Sequence, residues 1–232
     1  MKEKLKIYIG YDSRQDDMPN FGRVKNAPFE VCKKSILKYN TEVSIQPIIL
    51  KDLVATGIYK RELDPLASTE FTYSRFLTPY LNNFEGKAVF CDSDFLWQCN
   101  IEEILEFYNK DFSVMCVQHD YKPKEDTKMD GYKQTIYPRK NWSSLMLFNC
   151  AHNDCAKLTP DTVNTESPKY LHRMQWTSDK MIGKIPLLFN WLEGEYDGRI
   201  DPKAIHFTNG GPWFDSWQGD YEALWRETYT TL

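Results

Sequence analysis

The sequence lacks any long hydrophobic run. No stretch of the 232 residues approaches the roughly 20 consecutive apolar residues that a transmembrane helix needs. Near the N-terminus, the apolar stretch at residues 5–9 is also too short for the hydrophobic region of a secretory signal peptide. We therefore expect a cytoplasmic protein without a membrane span.

Clusters of basic residues are absent as well. The formal net charge is -4, and the lysines and arginines are spread along the chain. A nucleic-acid-binding protein neutralises phosphates with a basic patch. The sequence therefore argues against nucleic acid as a partner.

Cysteine pairs of the C-x-x-C type are also missing. The six cysteines are scattered over the apolar segments of the chain. Such spacing indicates neither a zinc site nor a disulfide framework. We predict buried free thiols instead.

What the sequence does contain is an alternation of strand-like and helix-like segments. The length fits one α/β domain. Apolar spacing, turn residues and capping residues predict strands at 5–9, 43–50, 88–91, 113–118, 144–148 and 204–207, helices at 26–40, from Ser68 or Thr69 to Tyr80 and at 220–229, and a mobile polar loop at 120–134. The alternation in the first half is typical of a mostly parallel sheet with helices on both faces.

Two carboxylates follow one of these strands. Residues 88–91 are apolar at every position, as in a strand buried on both faces, and Asp92 and Asp94 come directly after it. Side chains two apart in extended chain point to the same side, and open α/β sheets bind ligands at the carboxyl ends of their strands. Paired carboxylates there suit Mg²⁺ or Mn²⁺, which can neutralise a diphosphate. The alternative interpretation is an exposed acidic turn.

Segments spread along the whole chain carry a resemblance to a known family. They read Ile-Gly-Tyr-Asp-Ser-Arg at 9–14, Ser-Arg-Phe-Leu at 74–77, Lys-Ala-Val-Phe-Cys-Asp-Ser-Asp at 87–94 and His-Phe-Thr-Asn-Gly-Gly-Pro-Trp at 206–213. In this order they resemble the GT-A glycosyltransferases, especially the glycogenin and lipopolysaccharide galactosyltransferase group. The Gly-Tyr-Asp start is also similar to that of small sugar transferases of large algal viruses.

The resemblance implies a fold, a reaction and a metal site. The fold would be a single GT-A domain over residues 1–232, Rossmann-like, with a nucleotide-binding half at 1–119 and an acceptor-binding half at 120–232. The reaction would move a hexose or deoxyhexose from a nucleoside diphosphate sugar, with UDP as the expected nucleotide, to a hydroxyl of a glycan or other acceptor. The metal ligands would be Asp92, Asp94 and His206, holding Mn²⁺ or Mg²⁺.

Further residues are expected to contact the nucleotide-sugar. The resemblance places Tyr11 and Asp12 at the base and Arg75 at the nucleotide or diphosphate. The full set predicted to bind metal, nucleotide or sugar is Gly10, Tyr11, Asp12, Arg14, Arg75, Asp92, Ser93, Asp94, Asn141, Ser143, Ser144, His206, Gly210, Gly211 and Trp213. Several have simpler interpretations: core packing for Tyr11, a surface or salt-bridged arginine for Arg75, and an ordinary loop for residues 141–144.

Two departures from the group's pattern bear on stereochemistry. Gly211 stands where the group has a lysine before its Pro-Trp, and residues 175–179 read Gln-Trp-Thr-Ser-Asp where it has Asp-Gln-Asp. Both departures favour inversion, with retention as the alternative. An inverting transfer needs a carboxylate to take the acceptor proton, and Asp179, at the start of a predicted helix, is the candidate base. A helix-capping aspartate is the other interpretation.

Two functions from other classes are also compatible with the sequence. A haloacid dehalogenase-type phosphatase would use Asp92 as its nucleophile, but its motif usually opens the chain, and here it begins at residue 92 and is followed by Phe95. A sugar-binding module without catalysis is favoured by the 15% aromatic content. The predicted metal site disfavours it.

Overall fold

The computed structural model describes residues 4–18, 21, 24–62, 64, 67–120, 138–196 and 198–232. Its strands are β1 (Lys6–Tyr11), β2 (Ser44–Ile49), β3 (Lys87–Cys91), β4 (Phe95–Trp97), β5 (Val114–Val117), β6 (Leu145–Asn149), β7 (Ile182–Ile185), β8 (Trp191–Leu192) and β9 (Ala204–His206). Its α-helices are α1 (Ala27–Tyr39), α2 (Leu50–Ala55), α3 (Thr78–Leu81), α4 (Pro160–Thr165), α5 (Pro168–His172) and α6 (Glu222–Thr230). Most of the predicted polar loop at 120–134 lies outside the described residues.

A six-stranded sheet in the order β2-β1-β3-β6-β5-β7 forms the centre of the fold. Strand β1 pairs in parallel with both β2 and β3, and β5 pairs in parallel with β7. Strand β6 is antiparallel to its two neighbours, β3 and β5. All strands of this sheet except β6 therefore run in one direction, which confirms the predicted mostly parallel sheet.

Both faces of this sheet are covered, as the sequence predicts. Alternate residues of β3 point to opposite faces, so that Ala88 and Phe90 join one apolar cluster while Val89 and Cys91 join the other. Helix α1 covers the second cluster through Phe29, Cys32 and Ile36. Helices α2, α4 and α5 cover the first cluster through Leu50, Leu53, Val163 and Leu171.

The helix predicted from Ser68 or Thr69 to Tyr80 is wrong in its extent. The chain instead forms turns, a 3₁₀ turn at Ser74–Leu77, and then the short helix α3. Pro79 accounts for the break between this 3₁₀ turn and α3, because it has no N–H to donate to the Arg75 carbonyl four residues earlier. The backbone N–H and the hydroxyl of Thr78 bond to that carbonyl instead.

A second, three-stranded sheet in the order β4-β9-β8 lies beside the candidate site. Strand β4 begins just after Asp94 and pairs antiparallel with β9, so that Phe95 lies opposite His206. Strand β8 pairs with β9 in parallel. The small sheet thus carries a histidine from late in the sequence to the carboxyl end of β3.

Two absences noted in the sequence have structural counterparts. All six cysteines are free, and five of them are buried as predicted, whereas Cys99 is partly exposed. Within the described ranges, no helix has the length and apolar character needed to cross a membrane.

Candidate functional site

The two predicted carboxylates and the late histidine lie together. Asp92 follows β3, Asp94 precedes β4, and His206 is the last residue of β9. Each offers one ligand atom, and these atoms all lie within 4.8 Å of one another. The His206 Nε2 atom is 3.3 Å from the Asp94 Oδ1 atom. This spacing suits three ligands of a single ion.

Asp92 occupies a buried environment with an excess of negative charge. Its Oδ1 atom is 2.7 Å from Nη1 of Arg75, and Ser93, between the two aspartates, is also buried. Burial raises the pKa of Asp92 to about 6; Arg75 opposes this shift, whereas the Asp94 carboxylate adds to it. The Asp92 and Asp94 carboxylates together carry more negative charge than the one Arg75 guanidinium neutralises, and a divalent cation would neutralise the remainder.

His206 is oriented by its neighbours. Its buried ring stacks on Phe95 with the centroids 4.5 Å apart, and its Nδ1 atom is 2.9 Å from Oδ1 of Asn190. The Nε2 atom is thereby directed towards Asp94. Because two hard oxygen donors and a neutral imidazole suit Mn²⁺ or Mg²⁺, the residues present fit the ion that the sequence predicts.

Arg75 is first of all a partner of Asp92. Its guanidinium donates hydrogen bonds to Asp92 and to the Ser143 carbonyl, and it lies over the rings of Phe71 and Phe90. Its burial excludes a solvated surface position. Contact between Arg75 and a nucleotide stays a prediction.

The residues predicted to meet the base lie at the carboxyl end of β1, beside β3. Asp12 is buried, and its carboxylate accepts hydrogen bonds from the Arg14 guanidinium and from the backbone N–H of Glu70. The Tyr11 hydroxyl donates to Asp16. Both side chains are thus engaged within the protein, and their contact with a base stays a prediction.

A cavity of about 200 Å³ opens beside Arg14. Its walls are formed by Arg14, Leu50, Tyr59, Asp64, Ala67, Thr69, Glu70 and Tyr73. The Thr69 hydroxyl lies 3.4 Å from Nη2 of Arg75, so one wall contacts the residue that holds Asp92. The cavity suits one ring of a ligand rather than a whole nucleotide-sugar, because pockets for drug-sized ligands enclose about 300–1,000 Å³.

Two of the predicted glycines are required by packing. A Cβ atom at Gly10 would lie 2.4 Å from the Phe71 ring, and one at Gly211 would lie 2.2 Å from the ring of Trp213. Gly210 has a φ of 108°, a conformation that favours glycine. Contact of this Gly-Gly turn and of Trp213 with a ligand stays a prediction.

The segment at 141–144 reaches the cluster from the second half of the chain. The Ser143 hydroxyl is 3.0 Å from Nδ1 of His172, and the Ser144 hydroxyl donates to the Asn141 carbonyl over 2.7 Å. The Ser144 carbonyl accepts a hydrogen bond from the backbone N–H of Asp92. Because these groups bond within the protein, their contact with a sugar stays a prediction.

His172 leads us to expect a pH-dependent stability. Burial lowers its pKa to about 3, and the charge of Arg75 acts in the same direction. A histidine in the unfolded chain titrates near 6.5, so the unfolded state binds more protons below that pH, and the stability present above it is lost as the pH falls towards 3. We expect His172 to lower the free energy of unfolding by on the order of 1–2 kcal/mol between about pH 7 and about pH 5.

Urea titrations of the wild type and His172→Gln at both pH values would measure this effect. The variant should lose less stability on acidification than the wild type. Equal losses in the two proteins would show that His172 does not carry the pH dependence.

Asp179 is not one of the residues that form the cluster of Asp92, Asp94 and His206. It begins a 3₁₀ turn, Asp179–Met181, directly before β7, so the helix predicted at this point is wrong. Strands β7 and β3 run in the same direction, and Asp92 follows β3, so the two aspartates lie at opposite ends of their strands. The exposed Asp179 carboxylate pairs with Arg139. Its role as general base stays a prediction, one that this topology disfavours.

Two polar residues near the cluster were not predicted from the sequence. Asn190 immediately precedes β8 and contacts His206. His119 lies two positions after β5, its Nδ1 atom is 2.7 Å from the Tyr196 hydroxyl, and burial lowers its pKa to about 3. Both are placed by strand pairings between distant segments, and their only sequence signal is a polar side chain flanking an apolar stretch.

Comparison with known proteins gives one sequence relative and several structural ones. No family model matches the chain. Protein CDI of Arabidopsis thaliana is 47% identical over 231 residues, which cover 97% of this chain and 85% of that protein.

Among solved structures, the apo form of the bifunctional glycosyltransferase WbbM superposes with a TM-score of 0.66 and 15% identity, over 99% of this chain and 50% of its own. The glycosyltransferase GlyE of Streptococcus pneumoniae TIGR4 has a TM-score of 0.63 and 13% identity, over 98% and 60%. The galactosyltransferase LgtC, in complex with donor and acceptor sugar analogs, has a TM-score of 0.58 and 12% identity, over 98% and 96%. The chain therefore spans half of the WbbM chain, and at these identities the likeness shows the fold, which is GT-A.

Proposed function

Because the chain belongs to the family of the Arabidopsis thaliana Protein CDI and has the GT-A fold, we propose that it is a metal-dependent glycosyltransferase. It moves a hexose or deoxyhexose from a nucleoside diphosphate sugar to a hydroxyl of a glycan or other acceptor. The observation that carries the proposal is the convergence of Asp92, Asp94 and His206 at the carboxyl end of β3. That edge is where open α/β sheets bind ligands.

Each residue of the cluster has a distinct task in this proposal. Asp92 and Asp94 offer carboxylate oxygens, and His206 offers Nε2, to Mn²⁺ or Mg²⁺. When bound, such an ion neutralises charge on the diphosphate and stabilises its departure. Arg75 holds the Asp92 carboxylate in place through its 2.7 Å contact and limits the charge that the two buried aspartates accumulate.

The cavity beside Arg14 is the proposed place for one ring of the nucleoside, with UDP as the first nucleotide to test. It lies at the carboxyl end of β1, and its Thr69 wall contacts Arg75. Arg14 and Glu70 give its walls charges of both signs, and both side chains also bond within the protein, to Asp12 and Ser13. The division into a nucleotide half at 1–119 and an acceptor half at 120–232 is part of the same proposal.

A thermal-shift screen of nucleoside diphosphate sugars tests this function. A ligand that binds only the native state raises its stability by mass action, by about 2.7 kcal/mol at 100 times its dissociation constant. The preferred donor should raise the melting temperature when Mn²⁺ is present and much less when EDTA replaces it. No shift with any donor in the presence of Mn²⁺ would contradict the proposal.

The acceptor base gives a further prediction. Because Asp179 lies at the other end of the strands from the cluster, we expect Asp179→Asn to keep turnover within about threefold of the wild type, whereas loss of a positioned base costs roughly 10²–10⁴. Initial rates of nucleotide release at saturating donor would measure this. A loss of 100-fold or more, together with an inverted anomeric configuration in the first product by NMR, would assign Asp179 as the base of an inverting transfer.

A further inference from the structure

We propose that Asn190 is a positioning residue that fixes the imidazole of His206 in one tautomer, with the proton on Nδ1 and the lone pair on Nε2. This inference rests on the proposed function, because its purpose is to keep Nε2 available to a metal ion. Asn190 does not touch the proposed ion or the substrate. It acts through His206.

Asn190 lies between His206 and Ser144, the residue whose carbonyl bonds to Asp92. Its side chain is fully buried, with Oδ1 2.9 Å from Nδ1 of His206 and Nδ2 2.9 Å from Oγ of Ser144. The parallel pairing of β8 with β9 places Leu192 opposite His206, and Asn190, two residues before Leu192, reaches the His206 ring through its side chain. The carbonyl of the same Ser144 accepts the backbone N–H of Asp92. The buried pair Ser144 and Asn190 therefore forms one hydrogen-bonded frame that supports both Asp92 and His206.

The directions of the side-chain hydrogen bonds between Ser144 and Asn190 and between Asn190 and His206 follow from the Asn141 carbonyl group. The Asn141 carbonyl oxygen can only accept, so the single Ser144 hydroxyl proton is donated to it over 2.7 Å. The Ser144 oxygen must then accept from Asn190, which turns the Asn190 amide nitrogen towards Ser144. The Asn190 amide oxygen is left facing His206 and requires a proton on Nδ1.

His206 is therefore prepared to bind a metal ion through its Nε2 atom. A neutral imidazole has one N–H donor and one acceptor nitrogen. With the proton held on Nδ1 by Asn190, the acceptor is Nε2, which lies 3.3 Å from Oδ1 of Asp94. Outer partners of this kind fix the orientation and tautomer of metal-binding histidines.

The tautomer can be read directly by ¹⁵N NMR of the wild-type protein without added metal. The chain has only four histidines, and His206→Gln assigns the signals of one of them. We expect a protonated, pyrrole-type Nδ1 for His206, because this atom donates to Asn190. An unprotonated, pyridine-type Nδ1 would overturn the inference.

Two variants of Asn190 test the effect on the ion. Asn190→Leu removes the acceptor, and we expect Mn²⁺ affinity, measured by titration with the metal alone, to fall by roughly 10–100-fold. Asn190→Asp keeps an acceptor for Nδ1–H, and the Ser144 hydroxyl can turn to donate to its second carboxylate oxygen, so affinity should stay within about threefold of the wild type. Asn149→Leu is the matched control, because this buried asparagine bonds to the carbonyls of Lys110 and Phe112 at the far end of β6.

The outcomes separate this inference from the proposed function. A wild-type protein with the Nδ1–H tautomer that binds no Mn²⁺ would overturn the metal-dependent function while leaving the hydrogen-bonded frame in place. A protein that binds Mn²⁺ with equal affinity in the wild type and Asn190→Leu would overturn the role of Asn190 and leave the function standing.

Discussion

Asp94→Ala is expected to lower the Mn²⁺-dependent affinity for UDP by more than about 100-fold, beyond the roughly 10–100-fold loss that follows removal of an outer partner of a metal ligand. The reason is that Asp94 supplies one of the ligand atoms that converge within 4.8 Å. Calorimetric titration of UDP with and without Mn²⁺ measures the effect. Asp92→Ala should cause a loss of the same size, and it should also lower stability because Arg75 loses its partner.

A matched control separates ligand loss from a general change of charge. Asp111 is exposed and precedes β5, at the end of the sheet away from the cluster. Asp111→Ala should therefore leave Mn²⁺-dependent UDP binding unchanged. Unchanged Mn²⁺-dependent UDP binding in Asp94→Ala as well would contradict the assignment of Asp94 as a metal ligand.

Arg75→Met is expected to be strongly destabilising. The substitution keeps much of the side chain's length but removes the charge 2.7 Å from Asp92, and it leaves a buried carboxylate beside a second carboxylate. Breaking a buried ion pair by removing one partner costs about 3–5 kcal/mol. Urea unfolding at neutral pH measures the loss of free energy of unfolding.

Two further variants decide whether the lost ion pair is the cause. Asp92→Asn in the Arg75→Met background removes the unpaired charge, and we expect it to recover part of the lost stability. Arg226→Met removes a partly exposed pair with Glu222, and it should cost less than about 1 kcal/mol. A loss below about 1 kcal/mol for Arg75→Met would mean that the pair with Asp92 contributes little to stability.

The sequence predicted the sheet better than it predicted the helices. Strand β3 at Lys87–Cys91 matches its prediction closely, because a strand buried on both faces must be apolar at every position. The segment from Ser68 to Tyr80, by contrast, has helical apolar spacing but forms turns and a 3₁₀ turn before the short helix α3. The spacing of apolar residues does not show that Pro79 lacks the backbone N–H that a continuous helix needs.

The site residues that local sequence indicates were predicted, whereas residues placed by pairing between distant strands could not be predicted from local sequence. Asp92 and Asp94 lie two positions apart and directly follow a recognisable strand, and His206 comes from the family resemblance. Asn190 could not be found in this way, because it reaches His206 only through the pairing of β8 with β9. The helix predicted at Asp179 was wrong because β7, which begins at Ile182, was not recognised, and the role of Asp179 as general base stays a prediction.

Sugar transfer itself is the most direct test of the central claim. Purified protein would be given UDP-hexoses, an acceptor glycan panel and Mn²⁺, and release of UDP would be followed together with the mass of the acceptor. We predict UDP release and a hexose gained by an acceptor in the wild type, with both lost on addition of EDTA and in Asp94→Ala. Transfer that continues unchanged in EDTA, or in Asp94→Ala, would contradict a metal-dependent glycosyltransferase built on Asp92, Asp94 and His206.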